Sequence, residues 1–188
     1  MINRILPGLI AILMFLPVSR EAMSQDARSY FHAASREEQD LVEIWLGQDC
    51  EIGQKREIEE YLAQKAIRLE PVFWEAYRLG PPPEILQKSR DALVKRYAKR
   101  QEWLRKSGEG YFGNDVKRRL LSVTQEQYLE QEIARYIVRY KTAAIKGLAI
   151  VGTRESVVDL GRIAGDEKNL AREAAREALK LIQQRGME

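Results

Sequence analysis

The stretches "KTAAIKGLAIVG" (Lys141–Gly152) and "REAAREALKLIQ" (Arg172–Gln183) lie 31 residues apart and superpose on their small and apolar positions. Ala143, Ala144 and Leu148 meet Ala174, Ala175 and Leu179 identically, and Gly147 meets Ala178. Ile150 and Val151 meet Leu181 and Ile182. Paired small residues let neighbouring helices approach closely, while Leu and Ile fill the layer between them. Such a hairpin cannot bury its apolar face alone, so copies stack.

The chain around this repeat has the composition of one all-α domain. It has 188 residues, 45% hydrophobic and 31% charged, dominated by the strong helix formers Ala, Leu, Glu, Lys, Arg and Gln. Runs of alternating β-branched residues are missing. Ser35 with Glu38, and Thr124 with Gln127, are capping-box pairs that predict helix starts. Gly47 is placed to end the first of these helices. A helix is expected over Gln54–Leu69, with Ile58, Leu62, Ala66 and Leu69 on one face. Pro71 is expected to open a further short helix that Gly80 closes. Pro81, Pro82 and Pro83 precede a long helix ending near Ser107, and a short helix fits Val116–Leu121. The Thr124 helix carries Leu129, Ile133, Ile137 and Val138. Separate helices are read at about 142–151, 154–164 and 167–184, broken at Gly152-Thr153 and Gly165-Asp166.

Residues 143–182 resemble the HEAT-like repeat in its short bacterial form. That pattern is an Ala-rich helix, a turn, a second helix with a Val/Leu stripe, an Asp turn and the next Ala-rich helix. Val157, Val158, Leu160 and Ile163 supply the stripe, and Asp166 sits at the inter-repeat turn. The resemblance covers one and a half repeats. It implies a right-handed stack of antiparallel helical hairpins, an α-solenoid, that binds proteins and carries no catalytic residues. Residues 36–140 fit it loosely, and an irregular helical bundle is expected there.

The N-terminus predicts export. Met1–Arg4 carries one positive charge, and Ile5–Val18 is apolar but short and broken by Pro7, Gly8 and Pro17. A membrane span needs roughly 20 apolar residues. Small residues at Ala22 and Ser24 complete a signal-peptide pattern, with cleavage expected between Ser24 and Gln25. An uncleaved anchor is the alternative. The chain then divides into a signal peptide, residues 1–24, and one domain, residues 25–188, directed to the periplasm or secreted, with no stable membrane span after cleavage. Cleavage leaves 29 basic and 27 acidic residues, a net +2, which is no nucleic-acid signature. Cys50 is the single cysteine, so it is either buried or bridges two chains.

Candidate chemistry is sparse. His32 is the one histidine and lies in a polar lead-in, residues 25–34, far from any fixed partner in sequence. No set of ligands suits a metal, and "GEGYFG" lacks the lysine of a phosphate loop. No cofactor is expected, and the expectation is a non-enzymatic protein. A hydrolase working on an envelope polymer through two carboxylates is the competing reading. It requires a cleft holding two acidic groups. A homo-oligomeric structural subunit is a third.

Charge placement supplies the binding candidates. Residues 36–60 hold nine acidic and three basic residues, whereas residues 84–119 hold eleven basic and five acidic. Lys88, Lys95 and Lys99, with Arg96 and Arg100 beside them, fall on the long helix. They suit an acidic partner, another envelope or secreted protein. The alternative is that acidic and basic helices pack on each other or are simply solvated. Trp74 and Tyr77 fill a core or, if exposed, anchor an interface.

Overall fold

A computed structural model describes residues 28–47, 52–107 and 113–186. The proposed signal peptide, Cys50 and the glycine-rich loop at 108–112 lie outside the described residues. Among the described residues there are nine helices and no strand. They are α1 (Ser29–Ala33), α2 (Arg36–Gly47), α3 (Ile52–Gln64), α4 (Ala66–Leu79) and α5 (Pro83–Lys106). The remainder are α6 (Asn114–Ser122), α7 (Gln125–Val151), α8 (Ser156–Gly165) and α9 (Arg172–Arg185). The all-α class expected from composition is the class observed.

Both capping boxes form. Ser35 N–H donates to Glu38 Oε2 (2.7 Å) and Glu38 N–H to Ser35 Oγ (3.3 Å). Thr124 and Gln127 exchange the same pair of bonds at the start of α7. At the end of α4, Gly80 adopts φ 76°, a left-handed conformation that a side chain resists, and its N–H closes the helix on Ala76 O.

Helix α7 is the axis of the molecule. It runs unbroken for 27 residues, about 40 Å. The break expected ahead of residue 142 is absent, because neither Gly nor Pro interrupts residues 125–146. Helices α2, α3, α4, α5 and α9 all pack against it, and α8 packs on α9. The small residues of the sequence repeat sit at these seams. Ala143, Ala144 and Gly147 are buried on α7, and Ala174, Ala175 and Ala178 are buried on α9. The main core gathers Val42, Trp45, Leu62, Leu69, Phe73, Ile145, Leu148 and Leu160 around them. Trp45 also donates its Nε1–H to Ala143 O (2.9 Å), which ties α2 to the axis. A smaller core joins Leu93 of α5 to Tyr128 and Leu129 of α7.

Four further expectations are corrected. The chain turns at Lys65, so the helix expected to reach Leu69 ends at Gln64. Pro71 lies inside α4 instead of opening a helix. Proline disfavours a helical residue before it and removes one backbone bond. Here the burial of Leu69, Val72, Phe73 and Ala76 on one face of α4 outweighs that local cost. The polar lead-in is also more than a lead-in. It contains α1, which packs on α4. The last helix starts at Arg172, because Asp166–Ala171 forms turns held by Asp166 and Asn169 side chains.

Candidate functional site

Two clefts matter, and no residue lines both. The first, about 840 Å³, opens between α1, α4 and the α7–α8 connection. Its wall is built by a hydrogen-bonded clasp. Glu70 of α4 accepts from Thr153 N–H (3.2 Å) and from the Ser156 hydroxyl. Ser156 is buried and accepts in turn from Trp74 Nε1–H (2.9 Å). Trp74 is half-buried, with Tyr77 edge-on at 6.1 Å and the Arg78 guanidinium 5.6 Å from its ring centre. Tyr77 accepts from Asn169 Nδ2 (2.8 Å), and Lys141 lies 5.9 Å from its ring centre. Both aromatics therefore pin α4 to α8 and to the α8–α9 turn, while Trp74 keeps one edge on the cleft.

The same cleft holds two acidic side chains one helical turn and more apart on α4, Glu70 and Glu75. Glu70 is occupied by the clasp. Glu75 is 7% exposed, and its Oε2 accepts from Tyr30 N–H (2.9 Å) at the start of α1. Its Oε1 is buried without a hydrogen-bond partner. Among the described residues, no group of three or more His, Cys, Asp or Glu could hold a metal ion.

The second cleft, about 450 Å³, lies between α5, α7 and the end of α2. Lys88 and Arg96 line it from α5, with Arg139 opposite them on α7; Glu132 and Tyr136 lie on the same wall. Lys95 and Lys99 are exposed elsewhere on α5. Arg100 is different, because its guanidinium lies 5.4 Å from the ring centre of Tyr128 in the smaller core. The basic row thus divides into two cleft residues, two solvated ones and one packing residue. Arg139 escapes a reading based on charge runs, since it joins the row through tertiary structure alone.

Among the described residues the acidic segment makes no ion pair with this row. Among the described residues, ion pairs of residues 36–60 run to Arg36, Lys55, Arg56 and Arg68, and none reaches α5. No ion pair within the described residues engages Lys88, Lys95, Arg96, Lys99 or Arg139. Among the described residues no helix is long and apolar enough to cross a membrane. No protein-family model, curated protein or solved structure matches this chain.

Proposed function

We propose that the protein is an exported, non-catalytic helical module of the cell envelope that binds an acidic partner protein. The partner docks on the basic face of α5. The observation that carries the reading is the cleft where Lys88 and Arg96 face Arg139 with no carboxylate ion-paired to any of them among the described residues. Lys95 and Lys99 extend the same positive field into solvent. Such a field raises association rates and selects partners by charge. The resemblance of residues 143–182 to a HEAT-like repeat supports the reading, as stacks of this kind present helix faces to proteins. The apolar run Ile5–Val18 followed by small residues at Ala22 and Ser24 supports export.

The test is cross-linking of the tagged full chain in its native cells, followed by mass spectrometry of what co-purifies and of the mature N-terminus. The expected result is one dominant envelope protein and a chain beginning near Gln25. Lys88→Glu with Arg96→Glu should abolish the capture, while Lys180→Glu on α9 should leave it intact. Capture unaffected by the double reversal would overturn the reading.

A further inference from the structure

One oxygen of Glu75 is buried without a hydrogen-bond partner, on a residue lining the cleft that is separate from the basic face. A buried carboxylate oxygen without a donor is uncommon in a folded protein, and its unmet desolvation makes it a strong acceptor for any cation that reaches it. Glu75 lines the larger cleft, and Oε2 is already committed to Tyr30 N–H. Glu75 is one of the residues that line this cleft, and the terminal torsion of a glutamate is broad.

The surroundings select the charge and shape of what enters. Four carboxylates, Glu70, Glu75, Glu155 and Asp159, line the cleft against two guanidiniums. Both guanidiniums are engaged: Arg78 by Asp159 (3.7 Å) and the Trp74 ring, Arg154 by Gly186 O (2.9 Å). Neither donates to Glu75 Oε1. The rim carries exposed apolar surface: Tyr30 is 57% exposed, Ile67 83% and Leu79 44%. A buried carboxylate, Glu75, beneath an apolar rim suits a long side chain with an apolar stem and a cationic tip.

We propose that this cleft is a subsite for one lysine or arginine side chain of a peptide segment, its ammonium or guanidinium donating to Glu75 Oε1. Apolar neighbours of that residue lie on Ile67 and Leu79. The site is independent of the α5 reading, since the two clefts share no residue.

The experiment is calorimetric titration of the full chain with four peptides, Ac-Ala-Leu-X-Leu-Ala-NH2, where X is lysine, arginine, norleucine or glutamate. n-Butylammonium is titrated alongside. The lysine and arginine peptides should bind about tenfold or more tightly than the norleucine peptide, with the glutamate peptide silent. Glu75→Gln should remove that preference with the helical circular dichroism unchanged. Asp159→Asn, at the exposed mouth, should weaken the lysine peptide about two- to threefold. Lys88→Glu should leave the titration unchanged, which separates this site from the basic face. Equal binding of all four peptides, no binding at millimolar peptide, or full preference in Glu75→Gln would overturn the proposal. n-Butylammonium binding as tightly as the lysine peptide would overturn the peptide source and assign the cleft to free amines. Should Glu75→Gln unfold, Asp159→Asn and the norleucine comparison still decide.

Discussion

The ring of Phe73 occupies the space that a Cβ on Gly147 would fill. A carbon built there would lie 2.5 Å from Phe73 Cδ1, and Phe73 is fully buried where α4 meets α7. Glycine within a helix ordinarily costs about 1 kcal/mol relative to alanine. At this position that cost is offset by the close approach it allows. Gly147→Ala should therefore destabilise the fold by about 1–3 kcal/mol, against the propensity trend. Urea unfolding checks it. Phe73→Leu, destabilising alone, should lose less in the Gly147→Ala background, because the smaller side chain relieves the overlap. Strict additivity would mean that the two residues do not share that space.

Ser156 holds two chain segments with one hydroxyl, donating to Glu70 and accepting from Trp74. Ser156→Ala leaves two half-buried partners each short of a bond, at a cost of about 1 kcal/mol. Amide exchange at Thr153, whose N–H donates to Glu70, should quicken in the same variant as the clasp loosens. Unchanged exchange would show that the backbone bond stands without the hydroxyl.

What the sequence makes legible here depends on range. The boxes at Ser35–Glu38 and Thr124–Gln127 are local chemistry over three residues, so spacing alone finds them. The paired alanines at 143–144 and 174–175 are also readable, since a seam between helices needs small residues wherever it falls. Pro71 misleads because its local preference is real but weaker than the burial of its neighbours Leu69, Val72 and Phe73. Arg139 and the link from Glu75 to Tyr30 have no sequence signal. The former joins α5 only by packing, and the latter spans 45 residues.

Glu38 gives the fold an acid-sensitive joint. It is 2% exposed and accepts from Ser35 N–H, which holds its carboxyl below the ordinary carboxylate value against the opposing effect of burial. The nearby Arg68 guanidinium, 3.4 Å away, adds to the lowering. A depressed folded value means that the stabilisation is present above the unfolded value near 4.5 and is lost as pH falls through the folded value. Glu38→Gln should cost about 1 kcal/mol at pH 7. Its stability should also fall less steeply than that of the wild type below pH 4.5. Parallel acid limbs in urea titrations would refute the assignment.

Tyr140 makes the opposite joint. It is 4% exposed on α7, and burial pushes its hydroxyl up from 10.0 to about 12, with Arg28 opposing. Below pH 10 folded and unfolded chains both keep the proton, and the stabilisation is complete. Between pH 10 and 12 the unfolded chain releases it and the folded chain does not, so stability falls. Tyr140→Phe lacks that proton. Relative to it, the wild type should lose about 2–3 kcal/mol by pH 12. A constant difference across that range would place the hydroxyl in contact with solvent.

Arg96 and Arg100 lie one turn apart on α5, yet the two should fail differently. Arg96 lines the basic cleft, whereas Arg100 lies over the Tyr128 ring in the smaller core. Arg100→Glu removes a cation–π contact and should lower stability by about 1 kcal/mol, read by thermal unfolding. Arg96→Glu should leave thermal unfolding unchanged and cut partner capture. At low salt the loss should be about tenfold in association rate, and it should shrink as ionic strength rises, because exposed charges are screened beyond about 8 Å at physiological salt. If Arg100→Glu and Arg96→Glu reduced capture equally with no loss of stability, the whole row would act as one surface and Tyr128 would not hold Arg100. If neither changed capture, the partner would dock elsewhere and α5 would be a solvated face.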